Sequence, residues 1–94
     1  MSMVELSPRE IGVVCDVFTG QPRAVRVGPD TVPVVAIERI REESAAYPAD
    51  RGPRTIFVVR TLQARLRLSF QHRDRRWLME GIEPKASMNL APAA

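Results

Sequence analysis

Seven arginines are, by type and spacing, the residues of this chain best suited to chemistry. Arg51, Arg54, Arg65, Arg67, Arg73, Arg75 and Arg76 all fall within residues 51–76. Guanidinium is always charged, and its planar fork donates hydrogen bonds in pairs that match phosphate oxygens. Such a cluster fits non-specific contact with a nucleic-acid backbone. It fits equally well the solvated surface of a basic protein. Stacking aromatics, which single-strand binders set beside their cations, are scarce. Phe18, Tyr47 and Trp77 are the candidates, but Phe57, Phe70 and Trp77 suit a core better, because large aromatics dominate small cores.

Other reactive types are few. His72, the single histidine, lies beside Arg73 in a turn and is expected to face solvent. Cys15 sits between Val13 and Val17 with nothing near it in sequence to favour a thiolate, so it reads as a structural thiol. One cysteine and one histidine do not make a metal-ligand set. Glu42 and Glu43 are adjacent, so on a strand they point to opposite faces and form no carboxylate dyad. Neither a P-loop nor a Gly-x-Gly-x-x-Gly motif occurs. The expectation is a protein that is not an enzyme, with no cofactor, no metal and no small-molecule substrate.

Positioning these arginines is the task of a short chain. Its 94 residues are enough for one domain, and 45% hydrophobic with 27% charged is a globular composition. Eight prolines and five glycines favour short elements and frequent turns. A lone cysteine permits no disulfide within the chain, which suits a reducing compartment. No apolar run approaches the ~20 residues that span a bilayer. The first residues lack the basic start and apolar core of a signal peptide. A cytoplasmic protein without membrane contact is therefore expected. Charge is uneven: residues 1–47 carry five arginines against seven carboxylates, and residues 48–76 carry eight arginines against two aspartates. Opposite charge on the two halves could drive self-association, either head-to-tail or isologous.

Alternation of apolar and polar residues predicts strands over 10–18, 23–27, 54–60, 65–72 and 76–82. The 54–60 segment is apolar on both faces and so reads as a central strand. In 65–72, Leu66, Leu68 and Phe70 point inward, and Arg65, Arg67, Ser69 and Gln71 point outward. Asp74 turns the chain, and Trp77 with Met79 or Leu78 closes the core. Residues 32–41 read as a strand, with a helix over 35–46 as the alternative, since Glu38 to Glu43 are good helix formers. Residues 1–9 read as a flexible arm, 10–83 as a single β domain, 44–53 as a long loop and 84–94 as a disordered tail. Five or six short strands predict a mainly β fold, a small antiparallel barrel or a strongly bent sheet.

Three stretches carry a resemblance. They are Gly20-Gln21-Pro22-Arg23-Ala24-Val25-Arg26-Val27, then Val35-Ala36-Ile37-Glu38-Arg39-Ile40-Arg41-Glu42, then Thr55-Ile56-Phe57-Val58-Val59 followed by Arg76-Trp77-Leu78-Met79-Glu80-Gly81-Ile82. In this order they resemble the small uncharacterised β domain found C-terminal to bacterial DNA-repair accessory proteins of the Y-family-polymerase type, and also as free-standing short proteins. The resemblance covers about residues 11–83, and its most specific piece is Arg-Trp-Leu-x-Glu-Gly-Ile. Ile40 stands where that pattern has a tryptophan. The resemblance implies a setting in DNA repair or replication and brings no catalytic residues. The leading expectation is an accessory or adaptor module acting through protein contacts or self-association, and the alternative is non-specific nucleic-acid binding through the 51–76 patch.

Overall fold

Residues 3–43 and 53–84 are described in the computed structural model, and eight β-strands make up most of them. These are β1 (Val4–Glu10), β2 (Gly12–Cys15), β3 (Pro22–Val27), β4 (Asp30–Pro33), β5 (Ala36–Glu43), β6 (Arg54–Arg60), β7 (Ala64–Gln71) and β8 (Arg76–Pro84). All pairing is antiparallel, in a five-stranded sheet of order β1-β8-β7-β6-β5 and a three-stranded sheet of order β2-β3-β4. The mainly β expectation is correct, but the sheets do not close into a barrel.

Two corners join the sheets. The amide of Ile11, between β1 and β2, donates to the Trp77 carbonyl at 3.0 Å. Val34 donates to Arg23 and Val35 to Arg60, each at 2.8 Å, between β4 and β5. The predicted 32–41 strand is therefore two strands in different sheets, and the described part of the helical alternative is β5. The described part of the predicted 1–9 arm is mostly strand: Val4–Glu10 pairs along β8 as an edge strand. Gly81 lets it approach. A Cβ there would lie 2.8 Å from the Met3 sulfur and 3.3 Å from the Val4 carbonyl oxygen. Pro8 is tolerated because an edge strand leaves amides unpaired. The 84–94 tail after Pro84 and the 44–53 loop before Pro53 lie outside the described residues.

Directly opposed residues of antiparallel strands share a face, so the register gives the layers. Leu66, Leu68 and Phe70 of β7 lie between Val59, Phe57 and Thr55 of β6 and Ile82, Met79 and Trp77 of β8. Phe57, Val59, Ala64, Leu66 and Leu68 form a buried cluster with Val25 from the small sheet, and Ile11, Val13, Val34, Ile37 and Trp77 pack around it. Trp77 lies between Phe57 and Phe70, with ring centroids 5.3 and 5.0 Å away. The small sheet thus covers the inner face of the large one. Phe57 and Leu66 are both buried in this layer. Val27, in the same phase of β3 as the buried Val25, is exposed.

Bulges correct the simple alternation. Arg67 pairs with Gly81 and Leu68 with Met79, leaving Glu80 as an extra residue in β8. Ile37 pairs with Val59 and Arg39 with Val58, leaving Glu38 as an extra residue in β5. An extra residue shifts the phase of the alternation. Ile82 therefore joins Trp77 and Met79 on the core side, while Leu78 faces outward opposite Ser69.

Candidate functional site: the outer arginine face

The outer face of the five-stranded sheet holds most of the predicted site residues. Arg65 and Arg67 come from β7, Arg54 from β6 and Arg76 from β8, because each occupies the polar phase of its strand. Ile56, only 4% exposed, is apolar although it lies on this face with Val58 and Leu78, and it sits between Arg41 and Ser69 of the flanking strands. This is why β6 reads as apolar on both sides.

Carboxylates meet these arginines. Arg54 donates to Glu80 at 2.5 Å and to Glu43 at 3.2 Å. Arg65 donates to Glu38 at 2.7 Å and to Glu83 at 3.0 Å, and Arg60 lies 3.6 Å from Glu38. Arg67 donates to Glu5, and Arg76 approaches Glu10 at 3.3 Å. Arg41 adds a second cation to Glu43 at 2.5 Å. Of the bulge glutamates, Glu38 bridges Arg60 and Arg65, and Glu80 joins Arg54 to Ser69. A shallow hollow of about 490 Å³ over Val58 is lined by Glu38, Arg39, Arg65 and Glu83, so its charge is mixed.

Beneath the lattice lies a buried polar cluster that sequence reasoning missed. Ser69, fully buried although predicted to face outward, donates its hydroxyl to Glu80 at 2.9 Å and accepts from the Gln71 side-chain amide at 3.1 Å. Glu80 is 7% exposed, and no buried side-chain polar atom among the described residues lacks a partner. The one available signal was a glutamate in the apolar β8 segment, but its bulge had no mark in the sequence.

The remaining site residues diverge. Arg73 and Arg75 are exposed at the β7–β8 turn, where Arg75 adopts φ 55°. Arg51 lies outside the described residues. His72 is exposed as expected, yet its Nε2 lies 2.7 Å from the Thr55 hydroxyl and its ring meets the edge of Phe70 at 5.1 Å. Cys15 is half-buried, and burial pushes its thiol pKa up, away from a reactive thiolate. No cluster of His, Cys, Asp or Glu able to hold a metal occurs among the described residues, and no helix there is long and apolar enough to cross a membrane.

No family model, curated protein or solved structure matches this chain. Its chemistry is therefore read from its own residues.

A second feature stands apart from the arginine face. The β2–β3 turn presents Val17 and Phe18 at 88% and 94% exposure. The Asp16 carboxylate accepts from the amides of Phe18 at 2.8 Å and Thr19 at 3.0 Å, and Gly20, at φ 74°, donates to the Asp16 carbonyl at 2.8 Å. The amides of Thr19 and Phe18 hold the Asp16 pKa below its ordinary value. A carboxyl whose folded pKa is depressed stabilises the fold above its unfolded pKa, and that contribution fades as pH falls through the folded value. The Phe18 and Thr19 amide resonances should accordingly titrate with a midpoint below that of an unstructured aspartate. NMR on the intact chain checks this, and an ordinary midpoint would mean the turn is not locked by Asp16.

Proposed function

We propose that this chain is a non-enzymatic accessory module that works through protein contacts. The observation that carries this reading is the carboxylate lattice over the outer arginines. A surface built to track phosphates presents cations ready to exchange counterions for backbone contacts. Here Arg54, Arg65, Arg67 and Arg76 already have carboxylate partners, so binding a polyanion would require breaking those pairs. Exposed surface pairs are weak singly, but several joined through shared glutamates hold one another in place. The exposed Val17–Phe18 turn supplies the apolar contact that a protein surface offers and a phosphate binder does not require. A cytoplasmic location and a DNA-repair or replication setting belong to the same reading. The first is supported by the lone cysteine and the second by the resemblance of the Arg76 to Ile82 segment.

A salt titration tests it. Single- and double-stranded DNA and RNA should show no binding with a steep salt slope, and changing Arg65 and Arg67 should alter little. Affinity that falls steeply with salt and disappears on changing Arg65, Arg67 and Arg75 would instead establish the 51–76 patch as a nucleic-acid surface.

A further inference from the structure

The inner layer opens to solvent at one end. Beyond the Val27 end of β3, a cleft of about 480 Å³ lies between the β3–β4 hairpin and the β6–β7 turn. Leu66, Met79 and Ile82 reach it from the large sheet, and Val27 and Leu62 form its lip at 51% and 68% exposure. One wall is β4, whose consecutive residues Asp30 to Pro33 all line the cleft, as a strand does where it presents its edge. β4 has β3 as its only partner strand among the described residues. Its outer edge is therefore open to another extended segment.

The end of β8 leads the chain to this place. Pro84, the last residue of β8, pairs with Ala64, and both Ala64 and Ile82 line the cleft. The residues that follow are Lys85-Ala86-Ser87-Met88-Asn89-Leu90-Ala91-Pro92-Ala93-Ala94. They contain two large apolar residues, Met88 and Leu90, and one charge, Lys85. Residues two apart share a face of an extended chain, so Met88 and Leu90 can enter one cleft together. Four residues beyond Pro84 reach up to about 14 Å and six up to about 20 Å.

We propose that residues 85–90 fold back over this cleft as a strap along β4, with Met88 and Leu90 against Val32, Leu62 and Ile82. Charge favours this occupant, because Lys85 supplies the counter-charge to Asp30. Asp30 is the one charged residue lining the cleft, and it makes no ion pair among the described residues. Arg26 does not offset it: the neighbouring Val25 faces the core, so Arg26 points to the other side of the small sheet, beside Gly12. Two side chains bury too little surface to hold separate molecules together. A short tether changes this, since it supplies an effective concentration in the millimolar range. The inference stands apart from the protein-contact reading.

Nuclear Overhauser spectroscopy on the isotope-labelled full chain tests it. The methyl groups of Met88 and Leu90 should show cross-peaks to those of Val32 and Leu62, equally from about 0.1 mM to about 1 mM. In an equal mixture of labelled and unlabelled chains, no cross-peak should cross between copies. Leu62→Glu, at an exposed position, should remove the contacts and leave the circular dichroism spectrum unchanged. The Met88→Ser/Leu90→Ser variant should bind the neutral apolar dye Nile red at least about two-fold more tightly than the wild type, because a strap docked for most of the time leaves the cleft open less than half of it. Absence of the cross-peaks in the wild type overturns the proposal, as does unchanged dye affinity in the double variant. Cross-peaks between copies also overturn it and make a second chain the occupant. None of these outcomes bears on nucleic-acid binding, so the protein-contact reading stands or falls by its salt titration alone.

Discussion

Glu80→Ala is expected to destabilise the fold by about 3 kcal/mol, among the largest effects of any single polar substitution here. The carboxylate is 7% exposed, accepts from Arg54 and Ser69, and has no other role that an alanine could preserve. Its removal leaves the Ser69 hydroxyl buried without its acceptor and takes from Arg54 the nearer of its two carboxylate contacts described above. An unsatisfied buried polar group costs about 1–3 kcal/mol by itself, and losing the ion pair adds to this. Glu80→Gln keeps an acceptor near Ser69 while discharging the face opposite Arg54, so it should cost about half as much. Urea denaturation of the three proteins measures the difference as a shift in midpoint at constant slope. A cost below about 1 kcal/mol for the alanine variant would show that the bulge glutamate is dispensable.

Leu68→Ala should be comparably damaging for an unrelated reason. Leu68 is fully buried at the middle of β7, opposite Phe57 on one side and Met79 on the other, in the cluster where Val25 joins the two sheets. Deleting three carbons there removes their transfer free energy and leaves a cavity, together about 3 kcal/mol. For a domain of this size, whose total stability is on the order of 5–14 kcal/mol, that is a large share. Leu68→Met, which nearly conserves volume, should cost less than about 1.5 kcal/mol. Thermal or urea unfolding with both variants separates loss of volume from change of shape. Equal losses in the two would mean that β7 tolerates no change of shape.

The inner layer was legible in the sequence because its rule is local. Period-two alternation puts Leu66, Leu68 and Phe70 on one side, and strand register then adds Phe57, Trp77 and Met79. The same rule placed Ser69 on the outer side, where it lies, but not its burial, which comes from side chains of β6 and β8. It failed at Ile82, whose inward position depends on the extra residue at Glu80. Val4–Glu10 escaped notice because Pro8 and three charged residues suggest no strand, and its place depends on the open edge of β8 and on the missing side chain at Gly81. Residues 32–41 were ambiguous for a physical reason: the turn from one sheet to the other at Val34 and Val35 interrupts whichever period is tested.

The sequence by itself determined that this is a small, mainly β protein, that its core is built from valine, leucine, isoleucine and three aromatics, and that its arginines gather in the second half. Those properties follow from composition and from a periodicity each strand carries alone. The fate of the charge was decided only by tertiary structure. Counted along the chain, an acidic half precedes a basic half. In space, β1 and β5 from the acidic half flank the sheet that contains basic β6 and β7, and the two bulges add Glu38 and Glu80 to the arginine face. Ion pairing acts over a few ångströms, whereas Glu5 and Arg67 stand 62 positions apart in the chain. Four arginines of a patch that looks like a phosphate surface in one dimension, Arg54, Arg65, Arg67 and Arg76, meet carboxylates once the chain is folded.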